Sequence, residues 1–76
     1  MNTADIHEHM HVHSSDGRHV GRVDHVKGDK IELAKLDVST LGKHRYIPLS
    51  WADTVEDDKL ILSVTEDVAK AHWDEQ

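Results

Sequence analysis

Residues 9–26 read HMHVHSSDGRHVGRVDHV, and this stretch decides the fold. In its first part Met10 and Val12 alternate with histidines, which is the period-two pattern of a β-strand with one apolar face. The dipeptide Asp16-Gly17 follows, and a glycine here accepts the positive φ that tight hairpin turns require. The chain then returns through an apolar series at Val20, Val23 and Val26. The stretch therefore predicts a β-hairpin.

Further segments continue this alternation towards the C-terminus. We expect strands at residues 31–33, at 44–50, around 55 and at 60–64, separated by turn residues. Pro48 has no N–H to donate, so its side of the strand is expected to lie at an edge or a bulge. Residues 35–43 interrupt the pattern and predict a longer loop.

The end of the chain has the pattern of a short helix. Thr65 is a favourable N-cap, and the acidic residues that follow it suit the positive end of a helix dipole. Val68 and Ala71 are expected in the buried stripe of this helix. Together the segments predict an all-β fold in the main: a small antiparallel six-stranded barrel with a short C-terminal helix. We expect residues 1–76 to form a single domain, with its core within 6–73.

The composition excludes several classes of protein. The 76 residues include no cysteine, which excludes disulfides, thiolate metal sites and cysteine nucleophiles. The 15 acidic residues outnumber the 9 basic ones, and the resulting formal charge of −6 opposes nucleic-acid binding. No apolar run is long enough for a membrane span, and the N-terminus has no secretory signal, so we expect a cytoplasmic protein.

Several short phrases occur in a characteristic order along the chain: Glu8-His9-Met10, Ser15-Asp16-Gly17 with His19-Val20-Gly21, Val23-Asp24-His25-Val26, and Tyr46-Ile47-Pro48-Leu49 with Trp51. Together they resemble a small uncharacterised bacterial family related to the PRC-barrel, the domain named after the photosynthetic reaction centre H subunit. The resemblance covers about residues 6–73. It implies a compact, PRC-barrel-like β-barrel that docks onto other macromolecules, and it implies no catalytic residues.

Histidines occupy every second position from 7 to 13. On a strand they would share one face, and two imidazoles at i and i+2 can bind the same Zn²⁺ or Ni²⁺ ion. Three or four converging ligands are needed for a site, so the facing strand of the hairpin must supply another. The alternation therefore raises the hypothesis of a metal site without completing it.

A two-residue turn at Asp16-Gly17 fixes which residues of the returning strand face the histidines. This register shows whether a further metal ligand lies beside them. It places three histidines opposite defined partners: His9 opposite Asp24, His11 opposite Arg22, and His13 opposite Val20. The candidate metal ligands are therefore His9, His11 and Asp24, with the cation of Arg22 acting against them. The alternative is that these are ordinary solvated side chains, with His9 hydrogen-bonded to Asp24 across the strands.

Tyr46 is the candidate centre of an interaction surface. It is out of phase with Ile47 and Leu49, so it is expected to face away from their core, and Lys43 and Arg45 flank it. The chain has no nucleophile elbow, phosphate loop or metalloprotease motif, so we expect no enzyme.

The function predicted from these features is docking. We expect a non-enzymatic module that binds a protein partner, or a second copy of itself as a homodimer, through an exposed strand edge. The partner is not identified by the sequence, and we expect no cofactor. The alternative function is metal binding through the alternating histidines, with Zn or Ni as the ion.

Overall fold

The computed structural model describes residues 5–34 and 45–75, and these form a mainly β structure. A 3-10 helix at Leu49–Trp51 precedes the fifth strand. The other elements, in chain order, are β1 (His11–His13), β2 (His19–Lys27), β3 (Lys30–Leu33), β4 (Arg45–Pro48), β5 (Ala52–Glu56), β6 (Lys59–Leu62), α1 (Glu66–His72) and β7 (Asp74–Glu75). The mainly β fold and the short C-terminal helix are confirmed, and the expected loop at 35–43 lies outside the described residues.

Tight turns explain why neighbouring strands pair. Between β2 and β3 the turn is Gly28-Asp29, and Gly28 has a φ of 58°. Between β5 and β6 the turn is Asp57-Asp58, with φ values of 50° and 62°. Positive φ at both central residues, as at Asp57-Asp58, is the signature of a type I′ turn, and a glycine with positive φ at the first position alone, as at Gly28, is that of a type II′ turn. Both turn types have a twist that matches that of the flanking strands.

The described strands form one sheet in the order β5-β6-β1-β2-β3-β4-β7. The prediction that all strands are antiparallel was wrong at one pair, because β1 and β6 run parallel, with Val12 opposite Leu60. These two strands come from distant parts of the chain, so no hairpin turn sets their relative direction. Burial of their apolar side chains sets it instead.

The prediction of a closed barrel was also wrong. Within the described residues the sheet is open, with β5 at one edge and β7 at the other. Six of its strands have three or more residues, and β7 has two. The nine-residue β2 is shared by the two halves of the sheet: residues 19–22 pair with β1 and residues 23–27 pair with β3, with one register shift in each pairing. A bulge in a strand bends it, so both halves can cover one core without closing.

The core follows the predicted alternation. Among residues 5–34 and 45–75, eleven apolar residues are buried: Ile6, Met10, Val12, Val20, Val23, Ile31, Leu33, Ile47, Leu60, Leu62 and Ala69. Every strand from β1 to β4 contributes, as does β6, and Trp51 and Trp73 pack against the cluster while remaining half-buried. The core is therefore continuous across both halves of the sheet.

Helix α1 begins as predicted and buries a different face. The Thr65 side chain accepts a hydrogen bond from the N–H of Val68, as expected of an N-cap. The buried residue of the helix is Ala69, whereas Val68 is 41% exposed and Ala71 is also exposed. The expected stripe was wrong because a helix of seven residues touches the core with a single turn.

Candidate functional site

The loop of the first hairpin is one residue longer than the sequence predicts. The N–H of Ser14 donates to the carbonyl of Arg18 at 2.8 Å, so three residues, 15–17, form the loop. The N–H of Gly17 donates to the Ser14 carbonyl at 3.0 Å, and Gly17 has a φ of 81°. A turn followed by a left-handed glycine is the common three-residue hairpin connection, which adds a bulge to the ladder.

The longer loop shifts the register by one residue near the turn, and an extra residue on β2, Val20, restores the predicted register beyond it. His11 lies opposite Arg22 and Val12 opposite Gly21, as predicted. The register then shifts by one residue between Val12 and His13, so that His13 lies opposite His19. The expectation that His13 faces Val20 was therefore wrong, because it rested on a two-residue loop.

The shifted register assembles a histidine cluster, which consists of His11, His13 and His19. The Nδ1 atom of His11 and the Nε2 atom of His19 lie 3.1 Å apart, within hydrogen-bonding distance. The ring centroid of His19 lies 5.3 Å from that of His11 and 5.4 Å from that of His13. His11 and His19 are exposed and His13 is half-buried, so the cluster is open to solvent. Sequence analysis missed His19, and the Ser-Ser-Asp-Gly loop was the signal that would have found it.

The N-terminal half of the alternating histidines leaves the strand. His9 has a φ of 70° and lies in a turn, where its N–H donates to the carbonyl of Val23 at 2.8 Å. His7 lies before this turn, and its Nε2 is 2.6 Å from Oδ1 of Asp58 in the β5–β6 turn. The Asp58 carboxylate raises the pKa of His7 through this hydrogen bond. The four histidines therefore do not share one strand face.

Of the predicted metal ligands, Asp24 belongs to a different group of residues. Within residues 5–34 and 45–75, the group whose ligand atoms all lie within 4.8 Å of one another is Asp24, His25 and Glu32. Metal binding by the predicted set, with His9 and His11, stays a prediction. The structure brings Asp24 to His25 instead, with 3.6 Å between Oδ2 and Nδ1.

Glu32 is the centre of this second cluster. Its side chain is buried, and Oε1 accepts a hydrogen bond from the hydroxyl of Tyr46 at 2.6 Å. The Nζ atom of Lys27 lies 3.2 Å from the same oxygen, and Nδ1 of His25 lies 3.5 Å from Oε2. The hydrogen bond from Tyr46 is the main cause that lowers the pKa of Glu32 from 4.5 to about 2, and Lys27 and His25 add to it. The arrangement stabilises a carboxylate on the outer face of β3.

The predicted interaction surface is divided between the two faces of β4. Tyr46 is half-buried on the face opposite to Ile47, as predicted, but its hydroxyl is bound to Glu32. Arg45 is 5% exposed, which corrects the expectation that it lies on the surface beside Tyr46. Its guanidinium lies 4.6 Å from the centroid of the Trp73 ring, a cation–π contact that the sequence did not predict. Lys43 lies outside the described residues.

The edge strand β5 carries acidic side chains. Asp53 and Glu56 are exposed, and the turn that follows adds the exposed Asp57 and Asp58. On its other side β5 pairs with β6. The described residues form no pocket, and none of their helices is long and apolar enough to cross a membrane.

Comparison with known proteins places the chain in a family. The model of DUF2171, described as an uncharacterized protein conserved in bacteria, matches residues 6–70. The chain belongs to this family. The DUF2171 match includes the hairpin, the histidine cluster, the Glu32 cluster and the β5 edge. No curated protein and no solved structure gives a significant match to the chain.

Proposed function

We propose that this DUF2171 chain is a non-enzymatic docking module that binds an extended, basic segment of a protein partner along β5. The observation that carries the proposal is the position of β5 at the end of the open sheet, paired on one side with β6. The outward N–H and C=O groups of an edge strand can be satisfied by a strand from a partner.

The register of the β5–β6 hairpin identifies the backbone groups that face outward. Glu56 and Lys59 flank the two-residue turn and lie opposite each other. Residues in this position exchange both backbone hydrogen bonds, and the next residue along an antiparallel strand points its groups the other way. The N–H and C=O of Val55 therefore point to the side of β5 on which no strand of the described residues pairs.

The charges on β5 favour a basic occupant over a second copy of the chain. Asp53 and Glu56 are exposed on the strand, and Asp57 and Asp58 extend the acidic surface through the turn. The whole chain has a formal charge of −6, so two copies repel each other. Complementary charge accelerates association and excludes partners of the same sign.

The edge at β5 is favoured over the opposite edge of the sheet and over the surface at Tyr46 that the sequence suggested. The opposite edge, β7, has two residues and offers fewer backbone groups. Tyr46 already donates to Glu32, and Arg45 is buried against Trp73. A relationship to the PRC-barrel remains a prediction from the sequence phrases, and the docking proposal does not depend on it.

The test uses two synthetic peptides and the untagged full chain. One peptide alternates lysine with threonine, and its matched control alternates glutamate with threonine. We expect the lysine peptide to shift the amide resonances of β5 and to slow hydrogen exchange at the Val55 N–H, with little response to the glutamate peptide. The double variant Asp53→Lys, Glu56→Lys is expected to reverse this preference. The control is the double variant Asp29→Lys, Asp67→Lys, which changes the net charge by the same amount at exposed positions outside β5. We expect this control to keep the preference for the lysine peptide.

Three results would contradict the proposal. The first is an absence of β5 shifts with the lysine peptide. The second is an equal loss of binding in both double variants, since that would indicate attraction to the whole chain rather than to β5. The third is a dimer of the free protein, observed by native mass spectrometry, with β5 protected from hydrogen exchange, which would make a second copy the occupant.

A further inference from the structure

We propose that the histidine cluster, His11, His13 and His19, binds a divalent transition-metal cation such as Zn²⁺. The site is separate from β5 and independent of the docking proposal. It also differs from the set suggested by the alternation of histidines, since it replaces His9 and Asp24 with His13 and His19.

The distance between the two closest ring nitrogens fits a shared ion. Nδ1 of His11 and Nε2 of His19 lie 3.1 Å apart. Two nitrogens that each bind Zn²⁺ at about 2.0–2.1 Å in a tetrahedral site are separated by roughly 3.3 Å. The separation of these two nitrogens is therefore close to that of two ligands of one ion, and the rings have to exchange their hydrogen bond for the ion.

His13 supplies the third ligand of the proposed site. It is two residues from His11 on β1, and it lies directly opposite His19 in the β1–β2 ladder. All three side chains therefore project from the same face of the hairpin, and the ring centroids of His13 and His19 are 5.4 Å apart. Three histidines and a water are a ligand set that binds Zn²⁺ in proteins. The ligand atoms of the three histidines do not all lie within 4.8 Å of one another, so the His13 side chain has to reorient to complete the site.

Some charges and contacts around the histidine cluster favour metal binding, and others oppose it. Burial, followed by the nearby His13, His11 and Arg22, lowers the pKa of His19, which favours the neutral imidazole that a metal requires. Arg22 and Lys59 lie opposite His11 on the two neighbouring strands, and their positive charges oppose a divalent cation. Removing the charge of Arg22 should therefore increase the affinity for Zn²⁺. The proposal can thus be tested by a variant that binds more tightly as well as by variants that bind more weakly.

The competing cluster of metal-ligand residues is less suited to an ion. Asp24, His25 and Glu32 lie within 4.8 Å of one another. The ammonium group of Lys27, however, lies 3.2 Å from Oε1 of Glu32, and the Tyr46 hydroxyl donates to the same oxygen. A cation would have to displace Lys27 from its partner, whereas the histidine cluster holds no carboxylate that must be released.

The experiment is a titration of the untagged full chain, purified without nickel, with Zn²⁺ alone. Long-range ¹H–¹⁵N spectra report each imidazole ring separately. We expect the ring signals of His11, His13 and His19 to change together and to saturate at one equivalent of Zn²⁺. The ring of His72, which is exposed on α1, is expected to remain unchanged.

Substitutions then test each ligand. His19→Gln is expected to weaken Zn²⁺ binding at least tenfold, because even the outer partners of metal ligands are worth about 10–100-fold in affinity. His13→Gln is expected to do the same, and it serves as the second variant if His19→Gln does not fold. His72→Gln is the matched control and should leave the affinity unchanged. Arg22→Gln should increase it.

Several results would overturn the proposal. One is an unchanged affinity in folded His19→Gln and His13→Gln, as judged from their amide spectra without metal. Another is loss of binding in His9→Gln or Asp24→Asn, which would favour the set suggested by the alternation. A third is loss in His25→Gln, which would favour the Glu32 cluster. The absence of a saturable response to Zn²⁺ would exclude a site of any kind at the histidine cluster.

Discussion

At the scale of single residues, Glu32 shows how a buried carboxylate is stabilised in a small domain. The carboxylate is 4% exposed, and its burial would be costly without partners. Tyr46 donates to it, Lys27 lies 3.2 Å away, and His25 lies 3.5 Å away. These groups come from β4 and from the far end of β2, so one side chain links three adjacent strands on the outer face of the sheet.

Glu32→Gln is expected to destabilise the fold by about 1.5–3 kcal/mol at neutral pH, because hydrogen bonds to charged groups contribute that much. The folded pKa of Glu32 lies below the ordinary value, at about 2 rather than 4.5. The contribution of Glu32 is therefore present above pH 4.5 and is lost as the pH falls towards about 2. Urea denaturation over this range should show the wild type and the variant converging. Glu8→Gln, at an exposed position, is the control, and curves that stay parallel would contradict the prediction.

At the scale of elements, the loop of the first hairpin determines which histidines meet. The hydroxyl of Ser14 donates to the Asp16 carboxylate and accepts from the N–H of Arg18, which holds the loop closed. The Asp16 carboxylate also accepts from the N–H of Glu66 at 3.3 Å, so the loop is connected to the start of α1. The pKa of Asp16 is lowered, chiefly by the bond from Ser14. The register shift that places His13 opposite His19 depends on this loop.

Gly17→Ala is expected to destabilise the fold by about 1–2 kcal/mol, the cost of a left-handed backbone for a residue with a Cβ. Gly17 has a φ of 81°, and a Cβ there would meet no atom within 4 Å, so backbone conformation alone causes the loss. Denaturant unfolding of Gly17→Ala should show it. Gly17→Asn should lose less, since asparagine tolerates this conformation, and Ser15→Ala is the exposed control. Equal stability of Gly17→Ala and the wild type would show that the loop adopts another turn.

At the scale of the whole molecule, the parallel pairing of β1 with β6 joins the first hairpin to the β5–β6 hairpin. Val12 and Leu60 lie opposite each other in this pair, and both are fully buried. The pair brings together strands from opposite ends of the chain, so the entropy of closing the intervening loop opposes it. Burial of apolar surface on the common core compensates for that cost.

Leu60→Ala is expected to cost about 2–5 kcal/mol, the range for truncating a fully buried leucine. A chain of this length has a total stability of about 4–11 kcal/mol, so this loss is a large fraction of the total and should lower the unfolding temperature markedly. Ile61→Ala, on the opposite face of the same strand and half-buried, should cost less. Thermal unfolding followed by circular dichroism compares the two. A larger loss at Ile61 would contradict the placement of β6 in the core.

Local patterns in the sequence predicted strands β1 to β6, the short helix α1 and most of the core. Alternation placed Val12, Leu33 and Leu60 on buried faces, and Thr65 was correctly predicted as the N-cap of α1. These features depend on interactions between residues a few positions apart. Such interactions can be recognised in the sequence, as an alternation with a period of two in a strand or as a capping residue at the start of a helix. For the candidate site, the same patterns predicted His11 opposite Arg22, a pair far enough from the turn to escape the register shift.

Only the tertiary structure decided the remaining features. It left the sheet open with β5 at its edge, paired β1 in parallel with β6, buried Arg45 against Trp73, and placed His19 beside His11. Each of these contacts joins separate segments or depends on one extra residue in a loop. The free energy of each contact depends on the burial and charge of residues from distant parts of the chain. A short stretch of sequence therefore cannot predict it. The alternation by itself determined that strands form, and packing determined which side chains they bring together.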